Sequence, residues 1–201
     1  MKQPIKSALS VSAGVVAVVG LVLAPAAVNA VSDTANTTVN ATVGSTITVT
    51  TTGDPVTLAI TPTPTGSLSS GSDVVTVNTN NAAGYVLALS DSDATNTLTN
   101  GTDSFTSHAG TVAVPTALAN NTWGFAVAGG NFDASYAAEP NAQGSTTKWA
   151  GVPASGAPVT IKTTAAVATN ETTTVWYAAE ATTAMSNGTY TGVVTYTATT
   201  N

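Results

Sequence analysis

Asn187-Gly188-Thr189-Tyr190-Thr191-Gly192-Val193-Val194-Thr195-Tyr196-Thr197-Ala198-Thr199-Thr200-Asn201 is the stretch whose reading decides the fold. It opens on an Asn-Gly turn signal and then alternates with a period of two, Tyr190, Gly192, Val194, Tyr196 and Ala198 on one face and mostly threonine on the other. β-Branched and aromatic side chains fit a pleated, half-buried surface, so the spacing predicts a strand with a threonine face turned outward. Such a strand needs a neighbour, because an unpaired edge presents open N–H and C=O groups to any passing chain. That neighbour lies either earlier in the sequence or in another molecule.

The composition extends this reading to the whole chain. Only 7% of the 201 residues are charged and none is cysteine, while threonine, alanine, valine, asparagine, serine and glycine dominate over the strong helix formers. An all-β fold follows, an antiparallel β-sandwich of about nine to eleven short strands. With no cysteine available, it has to be held by burial and hydrogen bonds alone. Repeated alternating segments rich in Val, Ile, Tyr and Trp distinguish the chain from a disordered Thr/Ser stalk.

Residues 1–30 read as a secretory signal peptide. Lys2 and Lys6 precede an apolar run from Ala8 to Ala24, and Val28-Asn29-Ala30 places small residues where a signal peptidase cuts. Cleavage near Ala30 leaves Lys148 and Lys162 facing all 10 acidic residues, with no arginine. A chain so poor in cations cannot hold a phosphate backbone, so nucleic acid is excluded as a partner, and no membrane span is expected after cleavage. Residues 31–44 form a polar lead-in or an edge strand, and residues 45–201 form the sandwich domain.

Within that domain, Ser45 to Thr51 and Val56 to Ile60 alternate as strands on either side of the Gly53-Asp54-Pro55 turn. The Thr/Pro/Ser-rich run from Thr61 to Ser72 reads as a loop. Asp73 to Asn78 and Tyr85 to Leu89, separated by Asn80-Asn81-Ala82-Ala83-Gly84, read as a hairpin at the centre of the core. Asp91 to His108 is turn-rich. Val112 to Leu118, Thr122 to Val127, Lys148 to Val152, Pro158 to Thr163 and Thr172 to Ala181 supply further strands. Ala128 to Thr147 is an irregular stretch long enough to suggest a function.

Motifs that carry chemistry are few. His108 is the only histidine; no Gly-x-Ser-x-Gly elbow accompanies it, and it reads as a solvated loop residue. Asp91, Asp93 and Asp103, with Asn96 and Asn100 between them, are the oxygen-bearing residue types calcium prefers, though not at the spacing of an EF-hand. Calcium is the one cofactor they suggest. Lys148 and Lys162, with Glu180 and several asparagines elsewhere, are candidates for a lysine–asparagine crosslink of the kind some exported domains use. Trp123, Tyr190 and Tyr196 alternate toward a core, which leaves Tyr136 and Trp149, in or beside the long loop, as candidates to stack on a sugar ring. A hydrolase is supported only by scattered loop acids such as Asp133 and Glu139.

Val75-Thr76-Val77 followed by Gly84-Tyr85-Val86-Leu87, together with Gly188 to Ala198, resembles the WxL-like surface domains of bacteria. Tyr85 and Tyr196 stand where that family has tryptophan, and Ala198 stands where it has leucine. The resemblance implies an exported β-rich module attached non-covalently to the cell wall. The expected role is therefore a structural or adhesion protein of the cell surface rather than an enzyme. Its expected partners are a cell-wall polymer or like subunits joined by strand addition, with a carbohydrate-binding module as the alternative.

Overall fold

A computed structural model describes residues 31–127 and 148–201, and the expected signal peptide and Tyr136 lie outside them. The chain divides into an N-terminal unit, Met1–Ala41, and a compact unit, Thr42–Asn201. Residues 31–46 carry no strand assignment and every one of them is exposed.

The compact unit is all-β. Its nine strands among the described residues are β1 (Ile47–Thr51), β2 (Ser67–Thr79), β3 (Tyr85–Asp91), β4 (Leu98–Thr99), β5 (Ser104–Ser107), β6 (Thr122–Ala126), β7 (Val159–Thr163), β8 (Ala168–Ala181) and β9 (Val194–Thr200). They form a six-stranded sheet in the order β1-β2-β8-β6-β5-β4 and a three-stranded sheet in the order β7-β3-β9. The arrangement is sandwich-like, with two departures from the expected pattern. β5 and β6 pair in parallel, and β2 and β8, of 13 and 14 residues, are long rather than short.

Alternation explains which residues meet between the sheets. Val75 and Val77 from β2, Tyr85, Leu87 and Leu89 from β3, Phe125 from β6, Ile161 from β7 and Val175 from β8 are fully buried and form the centre of the core. Threonine occupies the outward positions, so that Thr50, Thr76 and Thr172 line up across β1, β2 and β8. Thr197, Ala88 and Thr160 do the same across β9, β3 and β7.

The expected hairpin is corrected. β2 and β3 share no ladder; the Asn80 to Gly84 turn carries the chain from the six-stranded sheet to the three-stranded one, and the two strands face each other across the core. Gly84 makes this crossing possible with a φ of +83° and a backbone packed against Thr164. Ser67 to Ser72 is strand rather than loop, with Ser67, Ser69 and Ser70 lying opposite Ala181, Ala179 and Ala178 of β8. Small residues meet small residues there, and the partner supplies what intrinsic propensity does not.

Three expected strands are not strands. Val56, Leu58 and Ile60 keep their inward alternation against the core but join no ladder. Val112 to Leu118 is bent by reciprocal bonds between Thr111 and Val114 and contains Pro115, which has no N–H to donate. Only Thr116 of that segment bridges, to Trp149. The stretch from Lys148 to Val152 likewise contributes single bridges at Trp149 and Ala150 rather than a strand.

Candidate functional site

The polar groups with the most organised surroundings lie between the sheets. Tyr177 on β8 and Tyr196 on β9 meet hydroxyl to hydroxyl at 2.6 Å. The Asp73 carboxylate on β2 lies near both phenols, and its charge reaches each of them. Asp73 also receives the backbone N–H groups of Thr52, at 3.1 Å, and Gly53, at 2.7 Å, which fixes the chain as it leaves β1. Burial is the main reason both phenols are held well above the ordinary tyrosine range, with the negative charge of Asp73 adding to it. The cluster brings together residues of three strands and both sheets.

A second polar contact closes the sandwich on the β7 side. Lys162 Nζ lies 2.7 Å from Glu171 Oε1 of β8, with both side chains partly exposed. The same ammonium donates to the Thr172 carbonyl at 3.4 Å. The described partners of Lys162 are thus a carboxylate and a carbonyl, with no asparagine amide among them, which departs from the expected crosslink geometry. Tyr85 is buried behind this pair, and burial followed by the Glu171 charge pushes its phenol up to about 12.

His108 is a correction. It is 7% exposed rather than solvated. Its Nδ1 receives the Ala119 N–H at 3.4 Å, which leaves Nε2 to carry the proton and donate to Thr116 Oγ1 at 2.8 Å. Burial lowers its pKa, so the ring is neutral at neutral pH. Both nitrogens are committed to the loop that covers β5 and β6, and the residue holds that loop rather than activating a nucleophile.

The three acids expected to hold calcium do not share a cage. Asp91 is buried at the end of β3, where its Oδ1 accepts the Asp93 N–H at 3.1 Å and its Oδ2 has no protein partner. Burial raises its pKa. Asp93 is turned to solvent, and its Oδ1 caps the turn through Thr95 N–H and Oγ1, contacts that lower its pKa. Asp103 stands apart, bound to the Ser186 N–H and its own neighbour Ser104, and is lowered for that reason. Among the described residues no three His, Asp or Glu side chains converge to hold a metal ion.

Trp149, expected at the surface, is 0% exposed and packs in the core beside Val152 and Phe125. Its ring is closed to a sugar. The backbone of Trp149 pairs with Thr116 in both directions, at 2.8 and 3.1 Å, which draws the indole inward. Tyr190, expected in the core, is only partly buried: its ring meets Phe105 edge-on at 4.8 Å and its hydroxyl donates to the Ser186 carbonyl.

Backbone geometry isolates one further feature. Ser92 N–H donates to Val193 C=O, and Asn201 N–H donates to Gly84 C=O, one contact at each end of the β3–β9 register. The ladder between them therefore uses the backbone groups of Thr195, Thr197 and Thr199. Those of Val194, Tyr196, Ala198 and Thr200 point away from β3, along an edge that no strand among the described residues occupies. No helix among the described residues is long and apolar enough to cross a membrane. No family model, no curated protein and no solved structure matches the chain.

Proposed function

We propose that this chain is an exported structural component of a bacterial cell surface or envelope that acts by non-covalent assembly and not by catalysis. The observation that carries this reading is the outer edge of β9: seven residues, Val194-Thr195-Tyr196-Thr197-Ala198-Thr199-Thr200, without a charge, a proline or a bulge. Edges that are not used for association are normally blunted by one of those devices. The two outward threonine rows, uncharged and regular, add to the picture of a surface built for contact. So does the way the acids and the histidine described above are spent on turns and loops of their own. Export rests on the signal-like composition of residues 1–30, and attachment to the wall rests on the WxL-like resemblance.

Cell fractionation combined with electron microscopy of the exported protein tests the reading. The expected result is protein in the wall or in fibres, with oligomers that grow with concentration. Monomer free in the medium at every concentration would overturn it. Retention on purified cell-wall glycan without self-association would instead favour the carbohydrate-binding alternative.

A further inference from the structure

Among the described residues, no strand pairs with the segment before β1. Residues 31–46 are all exposed, and among them Val31, Val39 and Val43 are 93%, 87% and 84% exposed. Apolar side chains left this open are normally scattered singly. Here they follow a strand period. Ala35, Thr37, Val39, Ala41 and Val43 fall on one face of an extended chain, and Asn36, Thr38, Asn40 and Thr42 fall on the other. The segment is therefore patterned as a strand with one apolar face. Where it joins the compact unit, Asn80 pins it from both sides, accepting from Thr46 N–H at 2.8 Å and donating to the Gly44 carbonyl at 2.8 Å.

The edges of the two sheets are not equivalent as acceptors. β4 has two residues. β7 is broken by a register shift opposite Leu87 and Ala88 and carries the Lys162–Glu171 ion pair, two devices that protect an edge. β9 has neither. Beside it, β1 runs close without a ladder between them, and the inward residues of this seam, Ile47, Val49, Val194, Tyr196 and Ala198, are only partly buried. Among the described residues, core apolar surface thus remains uncovered where N–H and C=O groups outside any ladder are also available.

We propose that residues 35–43 of one copy add as a strand to the free edge of β9 in a second copy, with Val39, Ala41 and Val43 turned onto the β1–β9 seam. This rests on the assembly reading above and names its donor and its acceptor. Nine extended residues span roughly 30 Å against about 23 Å for the seven of β9, so the donor covers the whole edge. Main-chain bonds supply the attachment, and the alternating small apolar side chains set its register. Donor and acceptor are different surfaces of one chain, so the contact is head-to-tail and propagates unless a ring closes.

Because the chain has no cysteine, engineered disulfides read the contact without background. Exported protein carrying Ala198→Cys together with Val39→Cys, Ala41→Cys or Val43→Cys is expected to give a ladder of crosslinked copies from at least one pair. Asn40→Cys or Thr42→Cys with the same acceptor should yield about tenfold less, since those side chains lie on the opposite face. Deleting residues 31–43 should leave the β-rich circular dichroism unchanged and reduce the protein to monomer, and a peptide of residues 31–45 added in trans should bind that monomer. Assembly that persists after the deletion would overturn this inference while leaving the assembly reading intact. Disulfides formed only within single chains, or formed equally well from Asn40→Cys and Thr42→Cys, would overturn it too. Intact protein that never associates would remove the assembly reading itself.

Discussion

The Tyr177 hydroxyl on β8 stands 2.6 Å from the Tyr196 hydroxyl on β9, and through that contact the six-stranded sheet is bonded to the three-stranded one. Removing the Tyr196 hydroxyl leaves the buried Tyr177 hydroxyl without that partner. Tyr196→Phe should cost about 1–3 kcal/mol in chemical denaturation, the range for leaving buried polar groups unmade. Tyr177→Phe removes the other hydroxyl of the same contact and should cost about as much. The double variant should then show a coupling of at least about 0.5 kcal/mol.

Alkaline stability follows from the same phenols and from Tyr85. Their folded pKa values lie above the ordinary value of 10.0, with Tyr85 at about 12. The unfolded chain therefore releases these protons first, and the stability they contribute is complete below pH 10 and is lost as pH rises through the folded values. Absorbance titration should show tyrosine ionisation delayed in the native protein. Tyr85→Phe should make the loss between pH 10 and 12 shallower.

His108 sets an acid limit of the opposite sense. Its folded pKa lies below 6.5, so the neutral ring contributes stability above that pH, and the contribution fades as the unfolded state takes up a proton below it. Thermal melts across this range should show a falling transition temperature for the native chain. In His108→Gln the fall below pH 6.5 should flatten, leaving the lower-pH loss that Asp93 and Asp103 produce when their capping bonds are protonated away.

Gly84 and Gly101 allow strain and crowding to be separated. Both have positive φ, +83° and +86°, but an added Cβ at Gly101 meets open space while at Gly84 it meets the Thr164 carbonyl. Gly101→Ala should cost about 1 kcal/mol, the scale of the backbone term alone. Gly84→Ala should cost clearly more by equilibrium unfolding, because the turn between the sheets has to shift as well.

Alternation made much of this architecture legible. It marked Val75, Val77, Tyr85, Leu87 and Leu89 as core and β9 as a threonine-faced strand, because burial on a pleated sheet writes a period of two into the sequence. It could not tell whether two adjacent strands pair or face each other, since a hairpin and a crossing between sheets place the same residues inward. Hence β2 and β3 read as a hairpin. Ser67 to Ser72 was illegible for another reason: its strand character comes from the alanines of β8 opposite it. The inward turn of Trp149 depends on Thr116, a partner more than thirty positions away. His108 gave no sign of burial because a histidine held by two loop contacts leaves no local pattern.

The pinning of Gly44 and Thr46 by Asn80 has a mechanical consequence. Tension applied to the N-terminal segment reaches the Asn80 contacts at Gly44 and Thr46 before it reaches Ile47, the first residue of β1, opposite Thr79. The Asn80 side chain, just past β2, therefore takes up load ahead of the five register pairs from Ile47–Thr79 to Thr51–Val75.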